Sequence, residues 1–185
     1  MRSPTKYEKL FSILLFIGSL VLSFAVFLIP IKPEQLSVLG YGGIFLITLL
    51  GAMTLFVSAP TMIAAFLIGS TLNPLLVGLV AGLGSALGET TGYTAGYATR
   101  NLIADPQEKM TWYWRIFNWM IKYPFLTLFL FSAIPNFITD VSGLIAGRIR
   151  YSYPKFLLAT FLGKTIRFGL GAFLGAYFGN FILRR

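Results

Sequence analysis

The sequence has no histidine and no cysteine, and only six acidic residues stand against fifteen basic ones. Without His or Cys there is no ordinary zinc site, no thiolate nucleophile and no Ser–His pair. Structural disulfides are excluded for the same reason. No enzyme activity, cofactor or metal is expected of such a chain. Charge is scarce as well. Of the 185 residues 11% are Asp, Glu, Lys or Arg, against about 25% in a soluble domain. Hydrophobic residues make up 56% and mean hydropathy is +0.77, which excludes intrinsic disorder. What remains is an integral membrane protein with little mass outside the bilayer. A proton moved within it near neutral pH would travel on a buried carboxylate, whose neutral form desolvation favours.

The formal net charge is +9. Most Lys and Arg stand at the ends of apolar runs, where they flank membrane helices and meet anionic head groups. Scattered this way, they do not point to nucleic acid. Arg2, Lys6 and Lys9 precede an uncharged run from Leu10 to Ile31. That run is longer than the apolar core of a signal peptide, and no small-x-small cleavage site follows. It predicts a first transmembrane helix over 10–31.

After Lys32-Pro33-Glu34, the 54 residues from Gln35 to Gly88 carry no charge. As one helix they would run about 80 Å, far beyond one crossing of a core of about 30 Å. Gly42-Gly43, Pro60 and Asn73-Pro74 divide the stretch into Ile44–Val57, Pro60–Leu72 and a helix from Leu75 to about Ile103. Pro60–Leu72 is too short to cross and reads as part of a re-entrant hairpin near 58–74. The first half of the domain is thus 44–103. Residues 104–123 hold Trp112, Tyr113, Trp114, Trp119 and Tyr123 beside Arg115 and Lys122, the mixture of an interfacial connector. The second half, 124–182, repeats the order of short piece then long helix. Its hairpin is expected near 124–150, around Pro135, Asn136 and Ala146-Gly147, and its long helix begins at Pro154.

The halves also share motifs. Leu87-Gly88-Glu89-Thr90 aligns with Leu162-Gly163-Lys164-Thr165, and Gly96 with Gly171. Glycine recurs every fourth residue at Gly84, Gly88, Gly92 and Gly96, and again at Gly171, Gly175 and Gly179. On a helix such spacing makes a face that another backbone can approach, so these glycines read as helix packing. Glu89 and Lys164 occupy matching places with opposite charge, deep in apolar segments. Intramembrane charge is costly unless paired or hydrated, which marks a functional site or a structural ion pair. Inverted repeats built from Pro-broken segments place such a site at their interface. Glu89, Lys164, Asp140 and Arg167 are therefore expected around one centre. Arg148, Arg150 and Lys155 stand at the ends of short elements, where they can snorkel. Gly163-Lys164-Thr165 matches the end of a phosphate-binding loop, but position 158 is Leu158 and no strand precedes it, so no nucleotide site is expected.

The chain resembles the DedA superfamily, also called VTT or SNARE-associated Golgi-protein domains, and in particular its small multidrug-export-like branch. The resemblance rests on Gly84-x3-Gly88-Glu89-x3-Tyr93-x2-Gly96, on Ile134-Pro135-x4-Asp140-x5-Ala146-Gly147, and on Phe156 with Gly163-Lys164-x2-Arg167. It covers Ile44 to Gly179. It implies an all-α fold with two re-entrant hairpins entering from opposite faces and preceding long glycine-rich helices. It also implies lipid movement between leaflets, linked in bacterial members to the proton-motive force. Glu89 and Asp140 match acidic positions of the family, and Arg167 a basic one. Two positions depart from the family pattern. Pro60-Thr61-Met62-Ile63 stands where better-known members have Pro-x-Pro-Gly-Glu, and Ser132 where they have Arg.

The function expected from this reading is a transporter or flippase for an anionic amphipathic lipid, a polyprenyl phosphate or phospholipid. Glu89 and Asp140 would couple protons, while Lys164, Arg167 and Arg148 would bind the head group. Pro60, Pro74, Pro135, Asn136 and Gly147 would shape the hairpins, and Gly84, Gly88, Gly92, Gly96, Gly163, Gly171 and Gly175 would pack the helices. The alternatives are an exporter of small hydrophobic cations, with the acids as counter-ions, and a membrane organiser that transports nothing. Expected partners are membrane lipids, protons and further copies of the chain. The expected location is a prokaryotic plasma membrane, crossed several times.

Overall fold

The computed structural model describes residues 40–53, 58–99, 111–134 and 138–182. The expected first transmembrane helix, 10–31, lies outside them. The described residues form eight helices: α1 (Tyr41–Met53), α2 (Ser58–Gly69), α3 (Pro74–Gly88), α4 (Thr90–Thr99), α5 (Thr111–Lys122), α6 (Pro124–Ala133), α7 (Ile138–Arg148) and α8 (Tyr153–Ile182). No strand occurs among them. The protein is all-α.

Local chemistry sets the boundaries. Asn73 caps α3 by accepting from the backbone N–H of Leu75 at 3.0 Å and of Leu76 at 3.4 Å. Pro74 follows at the first helical position, where its missing N–H removes no intrahelical bond. Pro124 opens α6 in the same way. There the Thr127 hydroxyl donates to Tyr123 O at 2.7 Å and to Trp119 O at 3.2 Å, tying α6 to the end of α5. Helix α7 ends in a Schellman motif, with Tyr151 N–H on Ala146 O and Arg150 N–H on Gly147 O. Its left-handed residue is Arg150, at φ 55°, in the place where glycine is usual.

α3 and α4 are almost one helix. Glu89 interrupts the pattern by a single residue, yet its N–H bonds Ser85 O and its carbonyl accepts from Tyr93 N–H, so the axis continues. The sequence predicts an unbroken helix from Leu75, whereas this helix starts at Pro74 and is irregular at the buried acid. Pro74–Thr99 and Tyr153–Phe178 are each long and apolar enough to cross a membrane. On α8, Leu158, Leu162, Ile166 and Leu170 recur every fourth residue and are all exposed. A stripe of this kind faces lipid tails in a membrane protein.

The two long helices run antiparallel, with Gly78 against the Gly169 backbone and Gly82 against Thr165. α1 lies beside α3 with Phe45 and Thr48 at Gly84, and with Leu49 and Ala52 one turn on at Gly88. α6 lies beside α8 likewise, with Phe129 and Ser132 at Gly163. The second limbs cross over to the other half. The Phe66 carbonyl of α2 abuts Gly175 of α8, and the Leu144 carbonyl of α7 abuts Gly96 of α4. Gly84 thus corresponds to Gly163, and Gly96 to Gly175. Both offsets are 79 residues (163 − 84 and 175 − 96). Equivalent helices run in opposite directions, so the repeat is inverted.

This register corrects the one read from the motifs. Aligning Gly88 with Gly163 implies an offset of 75 residues (163 − 88), one helical turn away. Glycine at every fourth position makes registers one turn apart look alike in sequence. Packing separates them, because Gly84 and Gly163 face the same kind of neighbour. The counterpart of Lys164 is therefore Ser85, not Glu89.

The first hairpin is also placed differently. Its limbs are α1 and α2, so the range 58–74 contains only the second limb, and the link 54–57 lies outside the described residues. Pro60 is in the first turn of α2, while Pro74 belongs to α3. The second hairpin has α6 and α7 as limbs, with Pro135 and Asn136 outside the described residues and Gly147 against the Tyr93 carbonyl. Two apolar clusters flank the centre. One joins α1, α2, α3 and α8 around Ile44, Val77 and Phe168. The other joins α5, α6, α7 and α8 around Met120, Leu128 and Phe156.

Candidate functional site

Lys164 follows Tyr153 by eleven positions on α8, about 16 Å along the axis at 1.5 Å per residue. Glu89 lies fifteen residues after Pro74 and ten before Thr99. Both charges therefore sit near the middle of their long helices. They meet there: Lys164 Nζ is 2.9 Å from Glu89 Oε1 and donates to Ser85 Oγ at 2.8 Å. Ser85 and Glu89 are four residues apart on one helix face, so a single ammonium reaches both.

The pair is almost sealed, with Glu89 3% and Lys164 5% exposed. Desolvating two charges costs several kcal/mol each, roughly, and mutual attraction offsets this only with good geometry and further hydrogen bonds. Here satisfaction is incomplete. Oε1 faces the ammonium at ion-pair distance but off the line of a hydrogen bond, and Oε2 meets no donor among the described residues. The carboxylate keeps acceptor capacity that a purely structural pair would use.

Around the pair lie other polar groups. Arg167, 6% exposed, is three residues beyond Lys164, with its guanidinium carbon 5.8 Å from the Phe168 ring centre. Thr160 lies one turn before Lys164, buried, with its hydroxyl turned back onto Phe156 O at 2.8 Å. Ser132 is fully buried against Gly163, and its hydroxyl has no hydrogen-bond partner among the described residues. Its counterpart Thr48 instead donates to Ile44 O at 2.8 Å. Arg148 is half-buried in the last turn of α7. Asp140 is on α7, but its side chain falls outside the described residues.

The structure thus joins Glu89 to Lys164 and sets Arg167 one turn away. Sequence reasoning missed Ser85, whose signal was its place one turn before Glu89. It also missed Gly78 and Gly82, where α3 touches the α8 backbone. The seven packing glycines are all buried, but they do not share one neighbour: Gly84 and Gly88 face α1, whereas Gly96 faces α7. Among the described residues no group of three or more acidic side chains could hold a metal ion.

The family model of the VTT domain matches residues 59–177. The chain belongs to the VTT-domain family. The matched VTT region runs from α2 into α8 and contains Glu89, Asp140, Lys164 and Arg167, while α1 precedes it. No curated protein and no solved structure matches the chain. VTT proteins are a membrane family, in accord with the exposed apolar stripe of α8.

Proposed function

We propose that this VTT protein is a multi-pass, non-enzymatic transporter of the prokaryotic plasma membrane. It moves an anionic amphipathic lipid, a polyprenyl phosphate or a phospholipid, between leaflets. The observation that carries the reading is the Glu89–Lys164 pair at mid-depth, where two inverted halves cross. With Glu89 ionised, the ammonium is neutralised and holds no phosphate. Protonation of Glu89 removes that competitor and leaves a net positive centre, to which Arg167 adds charge and Ser85 a hydroxyl. A lipid phosphate then replaces the carboxylate while its tail stays in the bilayer. Loss of the proton restores the pair and expels the head group. Asp140 serves as the second proton carrier and Arg148 as a further contact for the head group on α7.

Flipping of a fluorescent polyprenyl-phosphate analogue in proteoliposomes under imposed pH gradients tests the proposal. The unaltered protein is expected to show gradient-dependent rates, and Glu89→Gln or Asp140→Asn to abolish that dependence. If both variants, alone and together, flip the analogue unchanged at every gradient, the proton-coupled mechanism is wrong.

A further inference from the structure

The two directions out of the ion pair along the α3–α4/α8 seam are closed by different means. Toward Asn73 the two helices touch closely, with Gly78 against the Gly169 backbone and Gly82 against the Thr165 backbone and hydroxyl. The side chain that enters this stretch is that of Thr165, short and wedged with its own backbone against Gly82. Opening that end means prising two long helices apart.

Toward Tyr153 the seam is filled by rings. Each step of four along α3 and α4 matches a step of four back along α8. Ser85 meets Lys164, Tyr93 meets Phe156, and Glu89 and Thr160 lie between them. The Tyr93 ring centre is 4.8 Å from that of Phe156 and 5.5 Å from that of Tyr153. Tyr93 is pinned, since its hydroxyl donates to Tyr151 O at 2.6 Å and its ring packs on a buried cluster. Phe156 is fully buried. Tyr153 differs from both. It is 38% exposed and begins α8 after two non-helical residues; its ring meets Tyr93 edge-on and lies 6.2 Å from that of Phe156, and its hydroxyl makes one contact, 3.0 Å from Thr90 Oγ1. Thr90 directly follows Glu89.

We propose that Tyr153 is a gate. When its ring leaves Thr90 and Tyr93, water and solutes reach the Glu89–Lys164 pair from the Tyr153 end by way of Thr90, beside the Tyr93–Phe156 layer that stays in place, and not from the Asn73 end. A buried pair between two unequal seals is enough for such a gate. The gate therefore does not depend on which lipid the protein moves.

The cysteine-free chain gives a clean readout. Ser85→Cys, introduced as a reporter, is exposed to a membrane-impermeant charged thiosulfonate in right-side-out and inside-out membrane vesicles. The exposed positions Ser152→Cys and Thr71→Cys, made singly, assign the Tyr153 and Asn73 ends to the two sides. The reporter is expected to react slowly, and from the Ser152 side. Adding Tyr153→Ala is expected to raise the rate about tenfold or more. Tyr153→Phe and Thr90→Val keep the ring and lose one hydrogen bond, so each is expected to raise it about fivefold. Tyr177→Ala, at an exposed ring near the other end of α8, is the control and leaves the rate unchanged. Should Tyr153→Ala not fold, the two milder variants read the same gate. Labelling equally fast from the Thr71 side, or Tyr153 and Thr90 variants no faster than Tyr177→Ala, overturns the proposal.

Discussion

Lys164 Nζ lies 2.8 Å from Ser85 Oγ, and these two residues are counterparts in the inverted repeat, 79 positions apart (164 − 85). Equivalent positions meet only where a pseudo-two-fold axis passes. The axis therefore runs between Lys164 and Ser85, with a base on one side and a hydroxyl on the other. Glu89, one turn from Ser85, supplies the balancing charge. A nearly symmetric frame thus holds an asymmetric site, with the cation on α8 and its acid where α3 ends.

Removing one partner of the pair should cost more than removing both. Lys164→Met strands Glu89 in a buried site and is expected to lower stability by about 3–5 kcal/mol. Glu89→Gln with Lys164→Met leaves no unpaired charge and is expected to recover most of the loss. Unfolding midpoints in detergent micelles, compared as a double-mutant cycle, measure the coupling. Independent, additive losses would mean that the two groups do not interact.

Paired glycines should respond as pairs. A Cβ at Gly84 or at Gly163 would stand 2.5 Å from the Phe45 or Phe129 carbonyl, respectively. Gly84→Val and Gly163→Val are each expected to cost about 1–3 kcal/mol or more through overpacking. Gly42→Ala, with nothing within 4 Å, is expected to be near neutral. Thermal midpoints in micelles check the contrast.

Charge reversal at the centre separates the substrate classes. Lys164→Glu sets two carboxylates together and is expected to lower anionic-lipid flipping by at least about tenfold. Efflux of a small hydrophobic cation should not rise. A gain of cation efflux would favour an exporter whose acids act as counter-ions.

Helix α5 should lie at the head-group layer. Its Trp119 is 61% exposed, beside exposed Arg115 and Lys122, while Ile116 and Met120 face the core. In a Trp112→Phe/Trp114→Phe background, Trp119 emission is expected to shift to shorter wavelength from micelles to anionic vesicles, and to be quenched by head-group-labelled lipid. Emission typical of bulk water in vesicles would place α5 away from the membrane surface.

Much of the molecule was legible in its residues because bilayers punish charge and free backbone so strongly. The scarcity of charge implied a membrane protein, Asn73-Pro74 and Tyr123-Pro124 stand at two helix starts, and isolated Glu89 and Lys164 marked the interior of two long helices. Those signals are local, and local chemistry decides them. The register of the repeat, the first limb of the first hairpin and the part played by Ser85 were not legible. Glycine every fourth residue is compatible with several registers, and only the carbonyls that fill each groove choose one. The place of Ser85 one turn before an acid is a faint signal among glycines until an ammonium from 79 residues away reaches it. The sequence by itself marked Glu89, Lys164 and Arg167 as charges inside apolar runs, and these are buried. Only the tertiary structure decided which of them meet and which end of the seam a single tyrosine closes, because both depend on how two helices distant in the chain cross.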